Sequence, residues 1–207
     1  MRDTVYFLAF DGYADWEAAL ALCEIRRPGT FRVRIAAPSM RPVESMGGLR
    51  VQPDLTPAEI DAARAALLIL PGGTAWERGL DGGATDAARR LHAAGAFVAG
   101  ICAGALPLAR AGLLDTRWHT GSLPGYLEGL VPAYAGAALY DASLLAIEDD
   151  RVITASSAGG VEFARAVIRA LALYDEVDTA HWYALYKHAV LPPWFAAEAG
   201  AALTEAA

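Results

Sequence analysis

The chain has 207 residues, enough for one core of ordinary size, and 55% of them are hydrophobic, which excludes a disordered chain. A formal charge of -7, with no run of Lys or Arg, argues against a nucleic-acid partner, whose phosphates need a basic face. No apolar stretch reaches the ~18 to 20 residues that span a bilayer, so no membrane partner is expected either. The first segment, TVYFLAF (4–10), reads as a strand and not as a signal peptide, because acidic residues follow at once. ADWEAALALCEIRR (14–27) reads as a helix stopped by Pro28-Gly29, and TFRVRIAAPS (30–39) alternates as a half-buried strand does. RPVESMGGLRVQPD (41–54) has the form of a hairpin turning at Gly47-Gly48. Thr56-Pro57-Ala58-Glu59 is a capping-box pattern with proline at the first helical position.

AALLILPGG (65–73) is a continuous apolar run, the mark of a strand buried on both faces. A helix over 86–95, a second buried strand over 96–102 and a helix over 103–112 follow. Segment 143–156 reads as a hairpin with Glu148-Asp149-Asp150 at its turn. Helices are expected over 159–174 and 176–190, the second ending before Pro192-Pro193. Strands alternating with helices argue for a parallel sheet between helical layers. With no repeat or linker, residues 1–207 are expected to form one domain, with 176–207 as a C-terminal helical extension.

Two cysteines, Cys23 and Cys102, make no disulfide framework, and the cytoplasm is the expected compartment. No Cys/His cluster has metal spacing, so neither metal nor cofactor is expected. Cys23, among apolar helix neighbours, reads as core. Cys102 is different: Gly100-Ile101-Cys102-Ala103-Gly104 has the form G-x-nucleophile-x-G where a strand is expected to pass into a helix. Such a turn lifts its central side chain off the sheet at a helix N-terminus, where a thiolate is favoured. A small buried cysteine packing a tight turn is the competing reading.

GICAGALPLARAGLLD (100–115) resembles the elbow of the ThiJ/PfpI family. FDGYADWEAALAL (10–22), LLILPGG (67–73) and VITASSAGGVEFARAVIRAL (152–171) agree with that family in order and spacing. The resemblance covers almost the whole chain. It implies the class I glutamine amidotransferase-like fold, a flavodoxin-like α/β/α sandwich with a mainly parallel sheet, assembled as a homodimer. It also implies that Glu17 faces Cys102 as a protonated carboxyl bonded to the thiolate, a state that burial beside a thiolate favours. The Gly72-Gly73 turn adjoins the cysteine in that family, which makes the Gly73 and Ala103 amides the expected oxyanion hole.

A base is less plainly written. Many family members carry a histidine about twenty residues past the cysteine, and here the gapless match is Ser122. If 117–122 is extended, Thr120 and Ser122 share one face and His119 points to the other. Arg117-Trp118-His119-Thr120 nonetheless resembles a pattern of one subgroup, which keeps His119 as a catalytic candidate. His181 and His188 lack the late His-x-Glu pair of true glutaminases, so a glutamine-hydrolysing triad is not expected. Trp16, Trp76 and Trp118 lie close in sequence to these positions, either as walls of an apolar pocket or as ordinary packing.

Two classes of function follow. In one, a Cys102 thiolate of lowered pKa attacks a small amide, aldehyde or isonitrile, a small-molecule substrate in each case. In the other, the same thiol is oxidised without turnover, as in a redox sensor or chaperone-like stress protein. A processive protease is disfavoured for want of an insertion that encloses a peptide.

Overall fold

The protein is described by a computed structural model over residues 1–193. Six strands form the main sheet, in the order β2-β1-β5-β6-β8-β7. The strands are β1 (Thr4–Leu8), β2 (Arg32–Ala36), β5 (Ala65–Leu70), β6 (Phe97–Ile101), β7 (Ala146–Asp149) and β8 (Val152–Ala155). All neighbours run parallel except β7, which pairs antiparallel with β8. The continuous apolar runs explain the centre: β1, β5 and β8 are buried at every position, and β6 at all but Phe97.

Helix α1 (Asp15–Arg26) packs on α5 (Gly160–Ala170), which carries α6 (Glu176–His188). Helices α2 (Ala84–Ala93), α3 (Ala105–Arg110) and α4 (Tyr126–Leu130) pack in series as the other layer. The result is the three-layer α/β/α arrangement with a mainly parallel sheet. No helix among the described residues is long and apolar enough to cross a membrane. Residues 194–207, part of the expected C-terminal extension, lie outside the described residues.

Several local expectations are corrected. The 30–39 strand is cut to five residues. The 41–54 hairpin forms, with β3 (Val43–Glu44) paired to β4 (Arg50–Val51), and it rests on the β1–α1 loop through Gly12 N–H to the Glu44 carbonyl and Met46 N–H to the Tyr13 carbonyl. The Thr56/Glu59 capping box is made, but it caps only a three-residue 3-10 turn. The β7–β8 turn is Asp150-Arg151, both at positive φ, which gives the mirror-image turn that matches strand twist. Cys23 is exposed, because α1 turns Glu17, Ala18, Ala21, Glu24 and Ile25 inward instead.

That inward stripe carries two glutamates seven residues apart. Glu24 is buried under α6, ion-paired with Arg27 at 2.9 Å and accepting the Tyr174 hydroxyl. Burial raises its pKa, but these partners and the Trp182 indole win and hold it below the ordinary carboxylate range. The second anchor of α6 is Glu162, which accepts from Lys187 at 2.7 Å and from the Tyr183 hydroxyl at 2.9 Å.

Candidate active site

β6 ends at Ile101, and Cys102 opens a 3-10 turn that runs through Gly104 into α3. Cys102 itself takes the left-handed backbone, at φ 56°. The flanking glycines are needed for another reason, which is close approach. A Cβ on Gly104 would lie 2.0 Å from the Leu70 carbonyl oxygen, and one on Gly100 would lie 2.5 Å from the Gly104 carbonyl oxygen. The elbow is therefore clamped between β5 and its own helix, with no room for side chains beside the cysteine.

Glu17 reaches the same point from the first turn of α1. It is 2% exposed, and its Oε2 accepts the Gly72 N–H at 2.5 Å. A Cβ on Gly72 would meet Glu17 Oε2 at 2.6 Å and Cys102 Cβ at 2.8 Å, so carboxyl and thiol flank that glycine. The Gly72 amide is committed to Glu17, whereas among the described residues the Gly73 amide has no hydrogen-bond acceptor. The turn is propped by Trp76, fully buried, whose indole N–H donates to the Pro71 carbonyl at 2.8 Å and whose ring meets Phe10 edge-on. Trp76 is thus packing beneath the turn. Trp16 stands 59% exposed beside Glu17, and Trp118 is exposed as well, so neither walls a closed pocket.

Burial sets the electrostatics of the pair. It pushes the Glu17 carboxyl up, against the Gly72 N–H and the Cys102 thiol, which favour the anion. It also pushes the Cys102 thiol up, aided by the neighbouring Glu17 charge and opposed by the Ser122 hydroxyl and the Ala103 N–H. The sequence predicts a thiol lowered by Glu17 and the elbow together; burial acts in the opposite direction, and an ionised Glu17 adds to it. Two acids in contact, one buried and one half-buried, resist ionising together, so the pair titrates as a unit. The Ser122 oxygen is buried with no partner of standard hydrogen-bond geometry, which leaves its hydroxyl free to turn toward the sulfur.

His119 is not brought to the thiol. It is 0% exposed, with Nδ1 at 2.7 Å from the Arg117 carbonyl and Nε2 at 2.6 Å from the Tyr134 hydroxyl. The carbonyl fixes the proton on Nδ1, so Tyr134 donates to Nε2 and both nitrogens are occupied. Burial pushes its pKa down, which keeps the ring neutral. The physical reason is the alternation of the segment. Thr120 is pinned to the sheet by its N–H to Thr154 Oγ1 and its hydroxyl to the Leu144 carbonyl; Ser122 follows toward Cys102, and His119 faces away. Thr120 therefore has no free hydroxyl proton for a substrate. His181 and His188 both lie on α6, where His188 meets Tyr183 edge-on.

Sequence reasoning missed Tyr126 and Glu77. Tyr126 opens α4, four residues past Ser122, and its hydroxyl donates to Glu77 Oε1 at 2.7 Å. Burial, Glu77 and the Cys102 charge all raise its ionisation far above the ordinary phenol. A five-residue helix between loops leaves no periodicity to read, and only the aromatic ring four residues past Ser122 hinted at it. A separate cavity of about 620 Å³ runs between α5 and the edge strand β7, lined by Phe97, Ala146, Glu148, Glu162, Arg165 and Arg169 among others, and contains none of these site residues.

The chain is 28% identical over 190 residues to a Bacillus subtilis protein named "Uncharacterized protease YoaZ", covering 88% of this chain and 90% of that one. It is 32% identical over 130 residues to a Pyrococcus horikoshii protein named "Deglycase PH1704", covering 62% of this chain and 77% of that one. The solved structure of the DJ-1 superfamily protein Atu0886 from Agrobacterium tumefaciens superposes with a TM-score of 0.81 at 32% identity, over 87% of this chain and 95% of the other. Residues 3–170 match the description of one family from end to end of the sheet, elbow and Glu17 helix included, and the chain belongs to that family, the DJ-1/PfpI family.

Proposed function

We propose that Cys102, as a thiolate, attacks a small electrophilic carbon, with Glu17 holding the shared proton. The observation that carries this is the placement of the buried Glu17 carboxyl and the Cys102 side chain on either side of Gly72, close enough to share a proton. With the charge on sulfur, the carboxyl O–H, the Ser122 hydroxyl and the Ala103 N–H all point donors at it. With an amide or carbonyl substrate, attack puts the negative charge on the substrate oxygen, which the Ala103 and Gly73 amides receive. An amide intermediate then expels its amine, which takes its proton from Glu17, and water hydrolyses the thioester to free the thiol and return the proton to Glu17. An aldehyde stops at the hemithioacetal, and an isonitrile takes sulfur and the Glu17 proton at carbon before water releases the formamide. The substrate class is a small amide, carbonyl compound or isonitrile. The deglycase name of the P. horikoshii relative is in keeping with such a carbon, and the protease name of YoaZ with an amide. A homodimer in the cytoplasm is the working state, on the family's usual assembly.

The second reading, oxidation of Cys102 without turnover, is favoured by one observation. No histidine stands at the thiol, and oxidation needs no base.

The test is the pH dependence of Cys102 alkylation in a Cys23→Ser background. Glu17→Ala removes the carboxyl O–H and leaves no donor behind, whereas the amide N–H of Glu17→Gln would replace it. The midpoint is expected to rise by about one unit, the worth of one hydrogen bond to a charged group. A midpoint that falls instead would show that Glu17 is the anion and repels the thiolate, and the proposal would fail. A thiol unreactive until the protein unfolds would make Cys102 a packing residue.

A further inference from the structure

Tyr126 follows Ser122 by four residues, Glu77 follows Gly73 by four, the two are joined by a hydrogen bond of 2.7 Å, and Tyr126 is near enough to Cys102 to feel its charge, yet neither takes part in the proton shared by Cys102 and Glu17. Their positions are fixed by the elements that build the elbow. Tyr126 lies on α4, which packs on α3, the helix launched by Cys102. Glu77 lies in the turn that follows Gly73. That turn is held from inside by Trp76 on the Pro71 carbonyl, and from α3 by Arg110, which donates to the carbonyls of Leu80 at 2.9 Å and Trp76 at 2.7 Å. Both groups are therefore placed relative to Gly73 and Cys102 by rigid contacts.

Their hydrogen-bonding capacity is one-sided. The Tyr126 hydroxyl gives its one proton to Glu77 Oε1, which leaves the phenol lone pairs and Glu77 Oε2 as acceptors. The nearby cations are committed: Arg110 to its two carbonyls, and Arg78 to the Thr74 hydroxyl at 2.9 Å. Among the described residues Glu77 is exposed and has no ion-pair partner. The phenol also stays protonated at every working pH, being buried and bonded to a carboxylate. That rules it out as a proton shuttle, which would need a pKa near neutrality, and leaves binding as its task.

We propose that Tyr126 and Glu77 form an acceptor subsite that selects substrates carrying a hydrogen-bond donor, above all a protonated amine, beside the carbon that Cys102 attacks. The subsite rests on the nucleophile reading, and it names the substrate class that reading leaves open. An anionic substituent meets the Glu77 carboxylate there and is rejected. A cation without N–H gains the charge but not the hydrogen bonds.

Three methanethiosulfonates of similar size test this in the Cys23→Ser background: 2-aminoethyl, 2-(trimethylammonio)ethyl and 2-sulfonatoethyl. In each reaction the Cys102 thiolate forms a disulfide bond to the transferred sulfur, and methanesulfinate leaves with the electron pair. Rates are divided by those of a small free thiol, and ratios within one variant cancel any change in thiolate fraction. The aminoethyl reagent is expected to be favoured over both others, and the preference to fall roughly threefold to tenfold in Glu77→Gln and in Tyr126→Phe. A preference unchanged in both variants overturns the subsite. Equal preference for the two cations overturns donor selection. Failure of all three reagents before unfolding overturns the nucleophile reading, and the subsite with it.

Discussion

His119 illustrates how a single residue declares its role through its partners. Its ring is sealed, and both nitrogens are bonded to groups outside the Cys102 site. His119→Ala is expected to cost about 2–4 kcal/mol of stability, through a cavity and an orphaned Tyr134 hydroxyl, while the Cys102 alkylation rate stays unchanged. Urea midpoints and alkylation rates check the two halves separately; a tenfold slower thiol in a stable variant would restore His119 as a site residue. The pH sign follows from the lowered pKa. Below about pH 6.5 the unfolded chain binds a proton that the folded chain refuses, so the wild type loses stability as pH falls through that region, and His119→Ala loses less of it. The alternation of 117–122 made this orientation legible in the sequence. What was not legible was the acid balance at Cys102, because burial depth is set by the whole layer packing and leaves no mark on five letters.

Elements were read best where apolar runs were continuous. β1, β6 and α1 fall within a residue or two of their expected bounds, and β5 starts where expected but stops three residues early, at the Pro71 turn, because strands buried on both faces leave little choice of residue up to the point where the chain must turn. Failures cluster where tertiary contacts decide. α1 was expected to bury Cys23, yet its inward stripe takes Glu17 and Glu24, each with a partner supplied from another element. Glu24, bonded to Tyr174 just ahead of α6, makes the hold on that helix sensitive to acid. Its folded pKa lies below the ordinary value, so its contribution is complete above about pH 4.3 and is lost as pH falls through the lowered folded pKa. Glu24→Gln is expected to release α6 at neutral pH, with amide exchange across residues 176–188 about tenfold faster while β5 and β6 keep their protection. Equal loss in helix and sheet would mean that Glu24 holds the whole fold and not α6.

On the scale of the molecule, the site is where the two helical layers meet over the carboxyl ends of the strands. Glu17 comes from the α1 layer, Ser122 and Tyr126 from the chain beyond α3, and Gly72 and Cys102 from the ends of adjacent strands β5 and β6. That convergence is what an open parallel sheet offers at its carboxyl edge. It explains why motifs scattered from residue 10 to residue 115 were readable as one site, while the wall they leave open, Tyr126 and Glu77, was not.

The left-handed backbone at Cys102 means that evolution and thermostability pull apart at this position. An L-residue with a Cβ costs about 1 kcal/mol or more there, and glycine does not. Cys102→Gly is therefore expected to melt above Cys102→Ala, by several degrees, while both are inert to alkylation. Selection for heat tolerance alone would favour the glycine, so the thiol at this turn is held at a cost in stability that its absence would return.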